Sequence, residues 1–284
     1  MNLTSPSQVK SWCIENGFHP NKVLGQNFLI DQNALKAIVD AGLEGMRDEG
    51  RGMRVLEIGP GLGVLTEEML KRGCEVVAIE KDPVLAARLK ESLGNPEDLT
   101  VIEGDALEWI ARDMRPETED AKFDRMISNL PYQAGTRILL DLVKARELKS
   151  MTVLVQTEVA ERLAAQEGSK TRGLAGVWAQ LDYDVRIVRK VAASCFWPRP
   201  EIGSSVVRLD RHDRNLALSD EERRLFYVVV TRAKDQLYLF SPQTRKMADG
   251  GMFPVDPSIF AATVNPFSSK NSSGVFILRV PLLS

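Results

Sequence analysis

The sequence predicts an α/β fold in which a parallel sheet is wrapped by helices. Three observations point to it. Short apolar runs alternate with stretches of helical spacing from about residue 34 to about residue 209. A glycine-rich turn, "EIGPGLG", joins the first of these runs to a helix. Acidic or amide residues then close the runs that follow, at Glu80, Asp105 and Asn129. Strands that alternate with helices in this way form parallel sheets, because each crossover helix must cover a sheet face.

Taken in order, "ALKAIVDAGLEG" (34–45) has its apolar residues at helical spacing. Arg54 to Ile58 is an apolar run short enough to be a buried strand. Gly59, Gly61 and Gly63 follow as a turn, and Val64 to Arg72 reads as a helix that stops near Gly73. "EVVAIEKD" is a second strand closed by acids, and Pro83 opens a second helix, "PVLAARLKESLG", where its missing N–H costs nothing. "LTVIEGDALEW" gives a third strand and "FDRMISNLPY" a fourth. "RILLDLVKAR" is a helix, and "MTVLVQTEVAERLAAQ" a strand running into a helix. "VWAQLDYDVRIVRKV" and "SSVVRLDRH" read as later strands. The polar stretch "HDRNLALSDEE" near residues 211–220 marks a domain change, and Asn265 to Ser273 reads as loop.

Bulk properties narrow the class. The 284 residues suit a large domain with an appendage, and 44% hydrophobic with 27% charged residues is ordinary for a globular protein. No apolar run approaches the roughly 20 residues that span a bilayer, and the N-terminus lacks a signal-peptide pattern, so a cytoplasmic protein is expected. Cys13, Cys74 and Cys195 are widely spaced and only two histidines are present, which argues against a metal site or disulfide framework. The net charge of −2 and pI near 5.9 argue weakly against a nucleic-acid binder. Locally, however, Arg186, Arg189, Lys190, Arg199, Arg208, Arg211 and Arg214 form a basic stretch, readable as a solvated surface or as a phosphate-facing rim.

The glycines let the backbone turn tightly and approach a ligand. Glu80, 21 residues after Gly59, is placed to accept the hydroxyls of a ribose, and Asp105 to accept a hydrogen bond from an adenine amino group. The turn alone is also readable as a structural strand-to-helix joint. With both acids, the pattern resembles the Rossmann-like S-adenosylmethionine-dependent methyltransferases. A phosphate-binding dehydrogenase is the alternative, but beyond its glycines the loop has no provision for a pyrophosphate.

Asn129-Leu130-Pro131-Tyr132 falls at the fourth strand end. It resembles the [DNS]-[IPL]-P-[YFW] motif of methyltransferases that modify exocyclic amino groups. An aromatic amine is a poor nucleophile, because its lone pair is delocalised into the ring. The Asn129 oxygen and the Leu130 carbonyl can accept hydrogen bonds from it and stabilise the positive charge that grows during attack. Pro131 sets the turn, and Tyr132 can stack on a base drawn out of its helix. The bland reading is an Asx turn with a core tyrosine.

"LGQNFLID" (24–31), "VQTEVAERLAAQEGSKTRGLA" and "FWPRPEIGSSVVRL" (196–209) extend the likeness over about residues 8–213. In this order the motifs are similar to the bacterial 16S ribosomal RNA adenine N6,N6-dimethyltransferase A family. The resemblance implies dimethylation of N6 on two adjacent adenines of the 3′-terminal hairpin of 16S rRNA in the small ribosomal subunit, by a monomer. It implies that Gln26, Asn27 and Leu29 close over the cofactor, that Gly59, Gly61, Gly63, Glu80, Asp105 and Asn129 bind it, and that Phe196 stacks on the target base opposite Tyr132. Core packing is the plainer reading of Phe196 and a helix cap that of Asn27. Gly203 stands where the family often has Asp.

The likeness defines residues 1–213 as a methyltransferase domain and 214–284 as an atypical C-terminal segment in place of the family's small helical domain. Residues about 220–260 resemble the motif VI region of UvrD/Rep-type helicases, in which the arginine matching Arg232 contacts ATP. No phosphate-binding loop accompanies it, so ATP hydrolysis is not expected. The strand "LYLF" is expected to pack on the methyltransferase domain, pair with another chain or stay loose. Cofactor binding with weakened rRNA affinity is the expected outcome. Two further readings are an RNA-binding ribosome-assembly factor with little turnover, and an enzyme of the same chemistry acting on DNA adenine or 23S rRNA.

Overall fold

The computed structural model describes residues 1–21, 25–45, 51–114, 122–166, 169, 171 and 173–212, and the backbone of five strands beyond them. The chain divides into two compact units, Met1–Asp213 and Arg214–Ser284.

The first unit opens with α1 (Pro6–Glu15), the short β1 (Phe28–Leu29) and α2 (Gln32–Leu43). Then come β2 (Arg54–Ile58), α3 (Val64–Lys71), β3 (Glu75–Glu80), α4 (Pro83–Ser92), β4 (Leu99–Glu103), α5 (Ala106–Asp113), β5 (Arg125–Asn129), α6 (Gly135–Ala145) and β6 (Ser150–Gln156). It closes with α7 (Thr157–Ala164), α8 (Leu174–Gln180), β7 (Tyr183–Val191), β8 (Phe196–Trp197) and β9 (Ser204–Arg211). The seven-stranded sheet has the order β4-β3-β2-β5-β6-β9-β7. Its first five strands are parallel, while β9 runs antiparallel to both β6 and β7. The expected parallel sheet is therefore a mixed one. β1 pairs separately with β8, Phe28 opposite Trp197 and Leu29 opposite Phe196.

The central strands read as continuous apolar runs because helices cover both their faces. Val55, Leu56, Ile58, Val76, Ala78, Ile79, Met126 and Ile127 are all buried. The helices start where their side chains can satisfy the first N–H groups. Asp31 Oδ1 accepts from Ala34 N at 2.7 Å, Asp82 Oδ1 from Val84 N at 3.0 Å, and Asp105 Oδ1 from Leu107 N at 2.8 Å. Two of the expected strands were drawn too long. The end of "LTVIEGDALEW" begins α5, capped by Asp105, and "VWAQ" belongs to α8. Helix α1 carried no clear sequence pattern, and only Val9 and Cys13 of it are buried.

The basic stretch before residue 215 is spent largely on internal bonds. Arg208, 6% exposed, donates to the carbonyls of Ala41 and Glu44 at the C-terminal end of α2 and pairs with Asp210 at 2.7 Å and Glu44 at 2.9 Å. Arg125 donates to the Gly42 carbonyl at 2.7 Å. These cations satisfy the carbonyls that a helix end leaves open. Arg186 pairs with Glu44, Lys190 with Glu161 at 2.9 Å, and Arg211 donates to the Arg146 carbonyl. Arg208 is withdrawn from the surface by these bonds, whereas Arg186, Arg189 and Lys190 remain exposed. Arg199 is exposed, and Arg214 lies outside the described residues.

The described elements of the second unit are all strands: β10 (Gln236–Ser241), β11 (Thr244–Lys246), β12 (Met252–Pro254), β13 (Ser268–Lys270) and β14 (Phe276–Pro281). β10, β14 and β13 form an antiparallel sheet in that order, and β11 pairs with β12. The "LYLF" strand thus finds its partner within its own unit, Leu237 opposite Val280 through Phe240 opposite Ile277. It is paired within its unit and not left without a strand partner. The loop expected over Asn265 to Ser273 contains β13. Arg232 lies outside the described residues.

Arg208→Ala strips buried acceptors of their donor and should destabilise the first unit by about 3 kcal/mol. Urea unfolding followed by tryptophan fluorescence reads that unit alone, since Trp12, Trp109, Trp178 and Trp197 all lie within it. An unchanged midpoint would show that the network contributes nothing.

Candidate active site

Polar groups leave a doubly covered sheet at its strand ends. In open α/β sheets, ligands bind beyond the carboxyl ends, where the strand order reverses. Here the reversal lies between β2 and β5. A cavity of about 290 Å³ opens there, walled by the turn after β2, the ends of β3 and β4, the Asn129–Tyr132 turn and the loop Gly25–Leu29.

The glycine turn is built by backbone geometry. Gly59 and Gly61 have φ of +68° and +59°, a region that favours glycine. A Cβ on Gly61 would stand 3.1 Å from the Phe28 ring. Glu80 holds the turn in place. Its Oε2 accepts from Gly61 N at 3.0 Å and its Oε1 from Asp82 N at 2.9 Å. Burial pushes its carboxyl above the ordinary range, against the pull of those N–H groups. Asp105 is only partly buried. Its Oδ2 pairs with Lys81 at 2.7 Å, and that bond holds the carboxyl below its usual value.

Asn129 ends β5. Its Nδ2 donates to the Asn27 carbonyl at 3.2 Å, which leaves Oδ1 as an acceptor. Leu130 is buried, and the chain turns sharply after it, with Gly135 N bonded to the Pro131 carbonyl at 2.7 Å. The Tyr132 hydroxyl meets Ser204 Oγ on β9 at 2.7 Å, which fixes the ring's outer end, and burial raises the phenol's pKa. The N-terminal loop packs directly on this turn, since a Cβ on Gly25 would lie 3.1 Å from Tyr132 N. Gln26 Nε2 donates to Asp82 Oδ2 at 2.9 Å, and Asn27 Nδ2 to the Gly25 carbonyl at 3.1 Å, so both side chains brace the loop.

Gln26, Asn27, Leu29, Gly59, Gly61, Glu80, Asp105, Asn129, Leu130, Pro131 and Tyr132 all border the cavity. Gly63 and Phe196 do not. Gly63 (φ +88°) opens α3 and faces α4, where a Cβ would stand 2.6 Å from Leu89 Cδ1. It serves helix packing and not the cavity wall. Phe196 is 2% exposed in the hydrophobic core, because β8 pairs it with Leu29. The cavity also has members that motif reading passed over. Phe28 backs the glycine turn, Lys81 pairs with Asp105, and Ser204, away from the wall, anchors Tyr132. Glu57, an acid inside an otherwise apolar strand, was the visible signal left unread.

The residues fit S-adenosylmethionine: a glycine turn open to close approach, carboxylates at two successive strand ends, and an amide with a free oxygen at the next. Among the described residues no helix is long and apolar enough to cross a membrane. Fold and site together define a Rossmann-like S-adenosylmethionine-dependent methyltransferase. The family model for ribosomal RNA adenine dimethylase matches residues 17–236, and the chain belongs to that family. It is thus an enzyme that dimethylates adenines of ribosomal RNA, with S-adenosylmethionine as the methyl source. Ribosomal RNA small subunit methyltransferase A of Deinococcus radiodurans is 45% identical over 208 residues, covering 73% of this chain and 67% of the relative. The protein of the same name from Clostridium perfringens is 39% identical over 82% of this chain and 79% of its own. Among solved structures, a dimethyladenosine transferase from Plasmodium falciparum superposes with a TM-score of 0.58 at 25% identity, over 73% of this chain and 72% of that one. The 23S rRNA methyltransferase ErmE gives 0.58 at 26% identity, over 72% and 78%.

Gly63→Ala combines a positive φ with a clash against Leu89 and should cost at least about 1 kcal/mol, visible as a lower urea midpoint. Burial raises the Glu57 carboxyl from 4.5 to about 8. A raised acid favours the folded state while protonated. That stability is fully present below 4.5 and is lost as pH rises toward about 8. Glu57→Gln should therefore flatten the decline of the melting temperature over that window, and an unaltered slope would assign the decline to other groups.

Proposed function

We propose that this protein places two methyl groups on N6 of each of two adjacent adenines in the 3′-terminal hairpin of 16S rRNA, acting as a cytoplasmic monomer on the assembling small ribosomal subunit. The observation that carries the chemistry is the Asn129 amide, whose NH₂ is held by the Asn27 carbonyl so that its oxygen is left to accept from an amine. The small-subunit substrate is supported by relatives named for it at higher identity than the 23S rRNA enzyme.

S-adenosylmethionine, when bound, supplies an electrophilic methyl group carried on a sulfonium. Glu80 accepts from the ribose hydroxyls with the lone pairs that Gly61 and Asp82 leave free. Asp105 accepts from the nucleoside amine and shares its Oδ2 with Lys81. Gln26, Asn27 and Leu29 cover this half of the cavity. The target adenine leaves its stack and lies against Tyr132, whose ring is steadied by Ser204. Asn129 Oδ1 and the Leu130 carbonyl accept the two N–H bonds of the unmethylated amine, and one of them accepts the N–H that remains for the second transfer. Accepting these bonds frees the nitrogen lone pair from the ring and stabilises the charge that develops on it. Each transfer forms one N–C bond and releases one N–H proton to solvent. Pro131 fixes the direction of the Leu130 carbonyl. With Phe196 in the core, Tyr132 provides the stacking surface in this conformation.

The test is mass spectrometry of nucleosides from undermethylated small subunits incubated with the protein and labelled cofactor. N6,N6-dimethyladenosine is expected. Asn129→Ala should lower turnover by about 10²- to 10³-fold. Tyr132→Phe, which keeps the ring and loses only the bond to Ser204, should mainly raise KM. No labelled adenosine from the wild type, or full turnover in Asn129→Ala, would sink the reading.

A further inference from the structure

One cavity residue has no part in the roles above. Glu57 sits on β2, two residues before Gly59, is 1% exposed and borders the cavity. The hydroxyl of buried Thr66 on α3 donates to its Oε2 at 2.6 Å. Glu57 is opposite Ala78 of β3. Side chains two apart on a strand share a face, so Glu80 lies on the same face of the sheet, one step nearer the carboxyl end. Two carboxyls on adjacent strands thus back one cavity, and each disfavours ionisation of the other. Glu80 is the ionisable neighbour from β3, Thr66 the polar one from α3, and Ser128 of β5 is bonded to Ile58 N at 2.8 Å. Among the described residues, none of the groups acting on Glu57 is a cation.

A buried acid so placed responds to the charge of whatever fills the cavity. S-adenosylmethionine carries one more positive charge than S-adenosylhomocysteine, because methyl transfer turns the sulfonium into a thioether. We propose that Glu57 is a specificity residue that senses this charge and favours the cationic donor over the spent product. The inference rests on the cavity being the S-adenosylmethionine site. Donor binding draws the Glu57 proton off to solvent, and the resulting carboxylate faces a cation. Once the methyl has moved to the adenine nitrogen, that cation is gone and the carboxylate takes a proton back from water. The product is then held more weakly, which matters for an enzyme that must reload between successive methylations.

Isothermal titration with each ligand, from about pH 6 to about pH 9 and in buffers of different ionisation enthalpy, tests this. The donor's sulfonium lowers the pKa of its own amine relative to the product's, so Glu57→Gln, which keeps the ligands' titrations, is the reference. Relative to Glu57→Gln, the wild-type donor-to-product ratio should rise about tenfold over the range, with an additional proton released on donor binding. Glu57→Gln should bind both ligands and keep only the pH dependence of the ligands' own amines. Thr66→Val removes a hydrogen bond to the ionised form, so its profile should move to higher pH. A Glu57→Gln protein that keeps the wild-type slope and proton release overturns the proposal. If Glu57→Gln fails to fold, the wild-type proton release and the Thr66→Val shift decide. A wild type that binds neither ligand removes the cofactor reading itself, and the proposal with it.

Discussion

Five parallel strands, covered by helices on both faces, leave their ends as the place where polar side chains reach the ligand. The ends of β2, β3, β4 and β5 meet where the strand order reverses, and the glycine turn, Glu80, Asp105 and Asn129 sit at those four ends. The cavity exists because the sheet is buried, and each functional group occupies the first position at which the chain leaves it. Glu57 is the exception that the same constraint makes costly. It stays inside the strand, and burial rather than contact with a charge dominates its titration.

The side chains that face the cavity are already engaged with the protein. Glu80 ties the glycine turn to β3, Asp105 caps α5 and pairs with Lys81, Gln26 braces Asp82, and Asn129 holds the N-terminal loop. Gln26 is engaged at both ends of its amide, since its Oε1 also accepts from Asn21 N at 2.7 Å, whereas Asn129 keeps Oδ1 as an acceptor. Such support removes reorganisation that would otherwise oppose binding and reaction. The same loop is anchored at its other end, where β1 pairs with β8. Loop and catalytic turn therefore form one packed unit, with Gly25 against Tyr132.

Positive charge on this protein is used for architecture more than the composition implies. Arg125 and Arg208 close the C-terminal end of α2 against the sheet, and Arg186 and Lys190 are paired on β7. The second unit pairs its own strands, with "LYLF" on the edge strand β10 beside β14. Both findings bear on how ribosomal RNA is held. In the described first unit Arg208 is buried while Arg186, Arg189, Lys190 and Arg199 are exposed, and the described elements of the second unit are strands where the family resemblance implies a helical domain.

Local chemistry made much of this legible in advance. Apolar runs, Pro83, the capping aspartates and the glycine turn each follow from a few neighbouring residues. Asn129-Leu130-Pro131-Tyr132 pointed to a site only in company with the glycine turn and the two acids, since alone it also reads as an Asx turn with a core tyrosine. The misreadings have a common cause: they concern what lies across the chain. "VWAQ" has an apolar pattern that suits strand or helix, and its neighbours decided for helix. Phe196 carries the residue type expected of a stacking ring, yet its pairing in β8 with Leu29 of β1, far earlier in the sequence, places it in the core. Arg208 reads as a surface charge until the end of α2 is laid beside it. Sequence alone determined the fold class and most of the cavity's edge. Burial, charge pairing and the free oxygen of Asn129 depend on contacts between distant segments, so only the tertiary structure decided them.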